Sequence, residues 1–195
     1  GLAWAMCGFA EQLEFLRTVS DEELEKFGGR DAVEGEFREA AQATCDFYIE
    51  NSALDGIPYW DTGAPGLTEL GDWRARPADP FNDFEPVDSS AAAIGAQGLL
   101  RLGRYLNNEQ YWQAGLTVAR TVLSEPYLST GPAHQGLILH AIYHRPNGWD
   151  HVPEGAKTPR GEACMWGDYH ALELGLYLQR IIEQKPYLTF WSSVA

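Results

Sequence analysis

Pro86-Val87-Asp88-Ser89-Ser90-Ala91-Ala92-Ala93-Ile94-Gly95-Ala96-Gln97-Gly98-Leu99-Leu100 is the stretch from which the fold can be read. A proline, an acid and two hydroxyls open it, which is how a helix N-terminus reads: Asp88 or Ser89 can accept hydrogen bonds from the first-turn N–H groups that have no helical partner. Ala91, Ala92, Ala93, Gly95, Ala96 and Gly98 then make the helix small on most faces. Such a helix suits close packing on several sides, so it is expected to be an inner element running to about Leu106. Two other stretches share this grammar. Gly1-Leu2-Ala3-Trp4-Ala5-Met6-Cys7-Gly8-Phe9-Ala10 is small and apolar almost all round, and Trp166-Gly167-Asp168-Tyr169-His170-Ala171-Leu172 leads from aromatic and acidic residues into an apolar helix. The three starts lie roughly 80 residues apart, too long for one unit of the common solenoids.

Amphipathic helices separate them. Asp31 to Asn51 carries a stripe of Val33, Phe37, Ala40, Ala41, Thr44, Phe47 and Tyr48, and Glu109 to Ser124 carries Tyr111, Trp112, Leu116, Val118, Ala119, Val122 and Leu123. Ser20-Asp21-Glu22-Glu23 reads as a cap with an acidic first turn. Two long irregular stretches remain, Ser52 to Val87 and Tyr127 to Arg160. In the first, Tyr59, Trp60, Phe81 and Phe84 argue for a packed loop, and loops of this length in a compact domain are usually functional or disordered. In the second, residues 136–144 are apolar and fit a short strand or a short helix. The last helix is expected from about Gly167 to Gln184. Inner-type and half-buried helices thus alternate, as in a toroid of helical hairpins. We read residues 1–195 as one region. Five principal helices cannot close a large ring, and the chain opens inside an apolar helical pattern; both suggest part of something longer. Inner-helix faces carrying Trp4 and Phe9 would then be open to a missing half.

The bulk properties narrow the function. Nearly half of the 195 residues are hydrophobic, with seven Trp, nine Tyr and eight Phe, the composition of a globular chain. Fourteen basic against 28 acidic residues give a net charge of −14. That argues against nucleic acid and against an anionic membrane surface as partners, and no apolar run has the length of a membrane span. An anionic small molecule would need a locally basic or neutral pocket. Cys7, Cys45 and Cys164 are too far apart to read as a disulfide framework or a zinc site; they fit a reducing compartment, so cytoplasmic is favoured over periplasmic. His140 and His144 have an i,i+4 spacing, but on the ambiguous segment, so no metal is expected. No cofactor-binding glycine loop and no serine nucleophile elbow occur.

Three acids sit where loops meet inner helices: Asp61 after Tyr59-Trp60, Asp88 before Ser89, and Asp168 after Trp166-Gly167. In a toroid such ends gather at one mouth. Acids beside aromatic rings suit sugars, because an indole face stacks on the apolar side of a pyranose while carboxylates bind its hydroxyls, and such acids can supply general acid–base chemistry. For Asp88 and Asp168, at helix starts, capping is the stronger reading.

At these residues the chain resembles a known family. Ile57-Pro58-Tyr59-Trp60-Asp61, then Asp88 to Ile94 running into Gly98-Leu99-Leu100, then Trp166-Gly167-Asp168-Tyr169 are similar in order and spacing to the unsaturated glucuronyl hydrolases of glycoside hydrolase family 88. Gly1-Leu2-Ala3-Trp4-Ala5 resembles the end of that family's Arg-Gly-Gln-Ala-Trp-Ala motif, with Leu2 for Gln. The resemblance implies an all-α fold, an (α/α)6 barrel of which this chain is about the C-terminal half. It implies release of a 4,5-unsaturated uronic acid from the non-reducing end of lyase-generated oligosaccharides by enol-ether hydration. An Asp protonates the double bond, water adds at C5, and the hemiketal collapses; no cofactor or metal takes part. The family's two catalytic aspartates precede the motif matched by Trp4, so no catalytic residue is assigned here. Trp4, Trp60, Asp61, Asp88, Ser89, Trp166 and Asp168 are the expected substrate-binding set, with an unsaturated uronyl oligosaccharide and the missing N-terminal half as partners. The loop from Leu67 to Glu85 is longer than the family's. Two alternatives stand: an unsaturated rhamnogalacturonyl hydrolase on the same barrel, and a non-catalytic helical module that binds glycan or a partner chain.

Overall fold

A computed structural model describes residues 1–189 and 191. Its elements are helical: α1 (Leu2–Leu16), α2 (Asp21–Glu25), α3 (Arg30–Glu50), α4 (Ser89–Leu106), α5 (Glu109–Val122) and α6 (Met165–Ile182), with short 3₁₀ turns at Pro65–Leu70, Trp73–Ala75 and Arg145–Asn147. Among the described residues β-pairing is confined to two isolated bridges, Tyr59 with Val87 and Leu128 with Ile138. The all-helical expectation holds. Residues 136–144 are neither strand nor helix; they form a loop pinned by the second bridge.

Helix α4 is the centre. It packs against α1, α5 and α6, while α3 packs chiefly against α1. Residues Ala92 to Gly103 are buried without a break. The small residues explain how: a Cβ placed on Gly98 would lie 2.8 Å from the backbone of Met6 and Cys7 in α1, and one on Gly103 would lie 2.7 Å from the Trp112 nitrogen in α5. Two buried polar clasps fix the neighbours. Arg101 bonds Glu14 of α1 at 2.8 Å and faces Glu11 at 3.6 Å, and Glu14 also accepts the Tyr187 hydroxyl at 2.6 Å. Gln97 donates to the backbone oxygen of His170 in α6 at 3.1 Å.

The helix ends follow local chemistry. Ser20 and Glu23 form a reciprocal capping box for α2. Arg30, at the first position of α3, donates to the carbonyls of Leu16 and Val19 and to Asp21, folding α2 back onto α3. Asn108 caps α5 through the N–H groups of Gln110 and Tyr111.

Two packing expectations need correction. The apolar stripe predicts Phe47 inward on α3, but it is exposed; Ala41, Cys45 and Tyr48 carry the burial there. Phe9 is no open inner face, since its ring packs 6.2 Å from Phe37 of α3, whereas Trp4 is half exposed. The longer apolar stripe open to solvent lies on α6: Met165, Tyr169, Leu172 and Leu176, at helical spacing. In the loop 52–87, Tyr59 and Trp73 pack together with centroids 5.3 Å apart, but Phe81 and Phe84 lie at the surface. Cys7 and Cys45 are buried free thiols and Cys164 is half-buried.

His140 joins the two long loops. Its ring is edge-on to Phe81 and Tyr127, at 5.2 and 5.8 Å, and its Nδ1 accepts the Gly161 N–H at 3.2 Å. Burial first, and the Arg160 charge second, push it from its ordinary 6.5 down to about 4.

Two measurements test this architecture. Gly98→Ala gains helix propensity, about 1 kcal/mol, but drives a methyl group into the α1 backbone. We expect net destabilisation of ~1–3 kcal/mol in urea unfolding, and a neutral or stabilised variant would contradict the close approach. For His140, the folded-state pKa lies below the unfolded one. Its contribution is therefore whole above pH 6.5 and is lost as pH falls through about 4. About 3 kcal/mol is at stake, so His140→Gln should flatten the fall in stability between pH 7 and pH 4.

Candidate substrate-binding site

The backbone of the 52–87 loop returns to α4 and builds the site. Trp60 N–H donates to the Pro86 carbonyl at 3.0 Å and Asp88 N–H to the Pro58 carbonyl at 2.9 Å. This short pairing sets Trp60 and Asp61 beside Asp88. Glu85, buried, then orients the indole: its Oε2 accepts Trp60 Nε1 at 2.7 Å while Oε1 accepts Gly66 N–H at 2.8 Å.

A hollow of about 250 Å³ opens above the start of α4, walled by Trp4, Trp60, Trp166, Tyr143 and Arg145 with Asp88, Ser90 and Ala91 beneath. A second hollow of about 220 Å³ adjoins it across Ala3, Trp60, Asp88 and Ala91, and continues to Asp61, Thr62, Phe47 and Asn51. Three indoles around polar groups suit a ring with apolar faces and hydroxylated edges. Among the described residues Arg145 is the one Lys or Arg side chain lining either hollow, a local positive point in a strongly acidic chain.

Asp88 caps α4 as the sequence implied, and does more. Its Oδ1 accepts the N–H groups of Ser90 and Ala91 at 3.0 and 3.3 Å, the Ser90 hydroxyl at 2.6 Å, and the N–H of Ile142 at 3.4 Å from the second long loop. Trp166 Nε1 in turn donates to Ser90 Oγ at 3.1 Å. One carboxylate oxygen thus holds the helix start, the 142 loop and, through Ser90, an indole of the wall. Burial raises the Asp88 carboxyl above the usual range, against the pull of these hydrogen bonds.

The structure brings Trp4, Trp60, Asp61, Asp88 and Trp166 together around the joined hollows. Asp61 is exposed, and its Oδ1 accepts Gly63 N–H at 2.7 Å in a local turn. Ser89 and Asp168 are placed differently. Ser89 has no accessible surface and donates its N–H to the His140 carbonyl at 3.1 Å. Helix α6 begins at Met165, two residues earlier than expected, so Asp168 does not cap it; its Oδ1 accepts the N–H groups of Leu137 and Ile138 at 2.9 and 3.1 Å and ties down that loop. His144 caps the Arg145–Asn147 turn, so His140 and His144 share no helix face. Sequence reading missed the 142–145 wall and its buried support: Asp150 accepts the N–H groups of Tyr143 and His144. The signal available was Asp150 in a loop of aromatic residues, which is weak without knowing where the loop folds.

A curated unsaturated glucuronyl hydrolase from Formosa agariphila is 33% identical over 135 residues, covering 68% of this chain and 28% of that protein. This chain resembles part of an unsaturated glucuronyl hydrolase. The Bacillus sp. GL1 unsaturated glucuronyl hydrolase is 27% identical over 186 residues, 92% of this chain and 38% of its own length. Its crystal structure superposes with a TM-score of 0.59 at 26% identity, over 93% of this chain and 39% of that one. A solved unsaturated glucuronyl hydrolase specific for heparin, 19% identical with a TM-score of 0.62, shares the fold over 96% of this chain and 41% of its own. A further structure of this kind, with dGlcA-Glc-Rha-Glc, superposes with a TM-score of 0.58. The chain spans about a third of the length of the curated relatives it matches. No family model matches the sequence.

Substitution of Asp88 separates capping from charge. Asn keeps an Oδ1 able to accept all four hydrogen bonds, so Asp88→Asn should unfold within about 0.5 kcal/mol of the parent, whereas Asp88→Ala should cost ~2 kcal/mol. Equal losses in the two variants by thermal unfolding would mean that the negative charge, not the acceptor geometry, holds this junction.

Proposed function

We propose that this chain forms one wall of the substrate site of a glycoside hydrolase of the unsaturated glucuronyl hydrolase type, acting on oligosaccharides that end in a 4,5-unsaturated uronic acid. The carrying observation is the hollow of Trp4, Trp60 and Trp166 around Asp88, made by the same short motifs that resemble the family. In this reading the indoles stack on the sugar and exclude water, the Arg145 guanidinium pairs with the uronate carboxylate, and Asp88 and Ser90 hold the floor rigid.

The protonating and water-activating acids are proposed to lie outside these 195 residues. Asp61 and Asp88 are the acids lining the joined hollows, and both are tied to local backbone N–H groups. The raised pKa of Asp88 is what a general acid would need. Its four hydrogen bonds all fall on one oxygen and connect structural elements, which favours positioning. A sugar-binding module without catalysis shares the first half of this account and differs only in turnover.

The test adds an unsaturated uronyl disaccharide to the purified chain and follows indole fluorescence and the enol-ether absorbance together. The expected outcome is a fluorescence change on binding, weakened ten- to a hundredfold, as an order of magnitude, by Arg145→Gln, with no loss of absorbance beyond buffer. Turnover would overturn the placement of the acids. Absence of binding would overturn the assignment of the hollow.

A further inference from the structure

Beyond the hollow, the loop between α5 and α6 carries an aromatic series that the fold does not need for its core. Tyr143 lies with its ring centroid 5.4 Å from that of Trp166, tilted by 32°, and Trp149 stacks on Tyr143 at 5.6 Å and 28°. Trp166 lines the hollow and is half-buried; Tyr143 is 54% and Trp149 60% exposed. The rings thus step outward from the sugar-sized cavity to solvent.

The series is also held in place. The backbone N–H groups of Tyr143 and His144 both donate to the buried Asp150 carboxylate, which fixes the start of the turn, and Ile142 N–H is anchored to Asp88. Trp166 is oriented through Ser90. His144, 5.0 Å from Trp149, flanks the outer ring. An exposed aromatic surface with its inner rings anchored, two ring steps out from a hollow that takes the terminal ring, is suited to a later ring of the same chain, because little conformational entropy is lost on binding.

We propose that Trp149, stacked on Tyr143 at the rim of the hollow, is the platform on which the third ring of a bound sugar chain, two rings beyond the terminal uronate, rests, so that this site favours longer oligosaccharides over disaccharides. The proposal rests on the sugar-binding reading of the hollow. Trp149 serves chain-length preference and the hollow serves the terminal ring, and the two are separable by measurement.

The experiment is calorimetric titration of the 195-residue chain with an unsaturated uronyl disaccharide and with the tetrasaccharide that extends it by two neutral hexoses, repeated with Trp149→Ala and Trp149→Phe. The parent should bind the tetrasaccharide about tenfold more tightly than the disaccharide. Trp149→Ala should bring that ratio to about one while leaving disaccharide affinity and the melting temperature unchanged, and Trp149→Phe should restore part of it. If the disaccharide binds and the ratio survives in Trp149→Ala, or is already one in the parent, the platform is wrong and the hollow stands. If neither sugar binds the parent, the hollow reading falls and the platform falls with it. A lowered melting temperature in Trp149→Ala with equal loss for both sugars would make Trp149 a structural residue and overturn the proposal.

Discussion

The approach of α4 to α1 at backbone distance is the constraint on which the rest depends. At Gly98 the two helices are so close that even a methyl group has no room, and Gly103 repeats the condition against α5. Small residues buy this proximity at the expense of side-chain burial, and helix propensity is lost at each glycine. Burial without a break along α4 returns the favourable part, since its neighbours fill every side. Arg101 and Gln97 then meet Glu14 and the His170 carbonyl in a dry setting, where a partnered polar group fixes register and an orphaned one would be costly.

An acidic chain would be expected to spend its carboxylates on solvent, yet several point inward at N–H groups. Asp88 joins α4 to the 142 loop, Asp168 holds residues 137 and 138, Asp150 sets Tyr143 and His144, and Glu85 takes the Gly66 N–H while orienting Trp60. Each does for a loop what a strand partner does in a sheet: it satisfies backbone donors that would otherwise have to face water. This explains how two long irregular segments can form firm walls around a cavity with hardly any β-pairing.

The similarity to unsaturated glucuronyl hydrolases fits this arrangement. The agreement covers most of this chain and about a third of the relatives. The hollow carries three indoles and one guanidinium, and its acids are engaged in holding a turn and a loop.

The sequence by itself determined the helical class, the helix boundaries to within a few residues, the cap at Asp88 and the three tryptophans of the hollow, Trp4, Trp60 and Trp166. These rest on local physics: apolar spacing, capping oxygens, and small residues that only a crowded helix would use. The tertiary structure decided what long-range contacts decide. It turned Phe47 outward, buried Ser89, and gave Asp168 to the 137–138 loop rather than to its own helix. It also brought Tyr143, Arg145 and Trp149 to the rim, because Asp150 and Asp88 capture their loop from positions that no periodicity links. A hydrogen bond between residues fifty apart leaves no pattern in either stretch, and only the packed chain shows which donor a carboxylate has met.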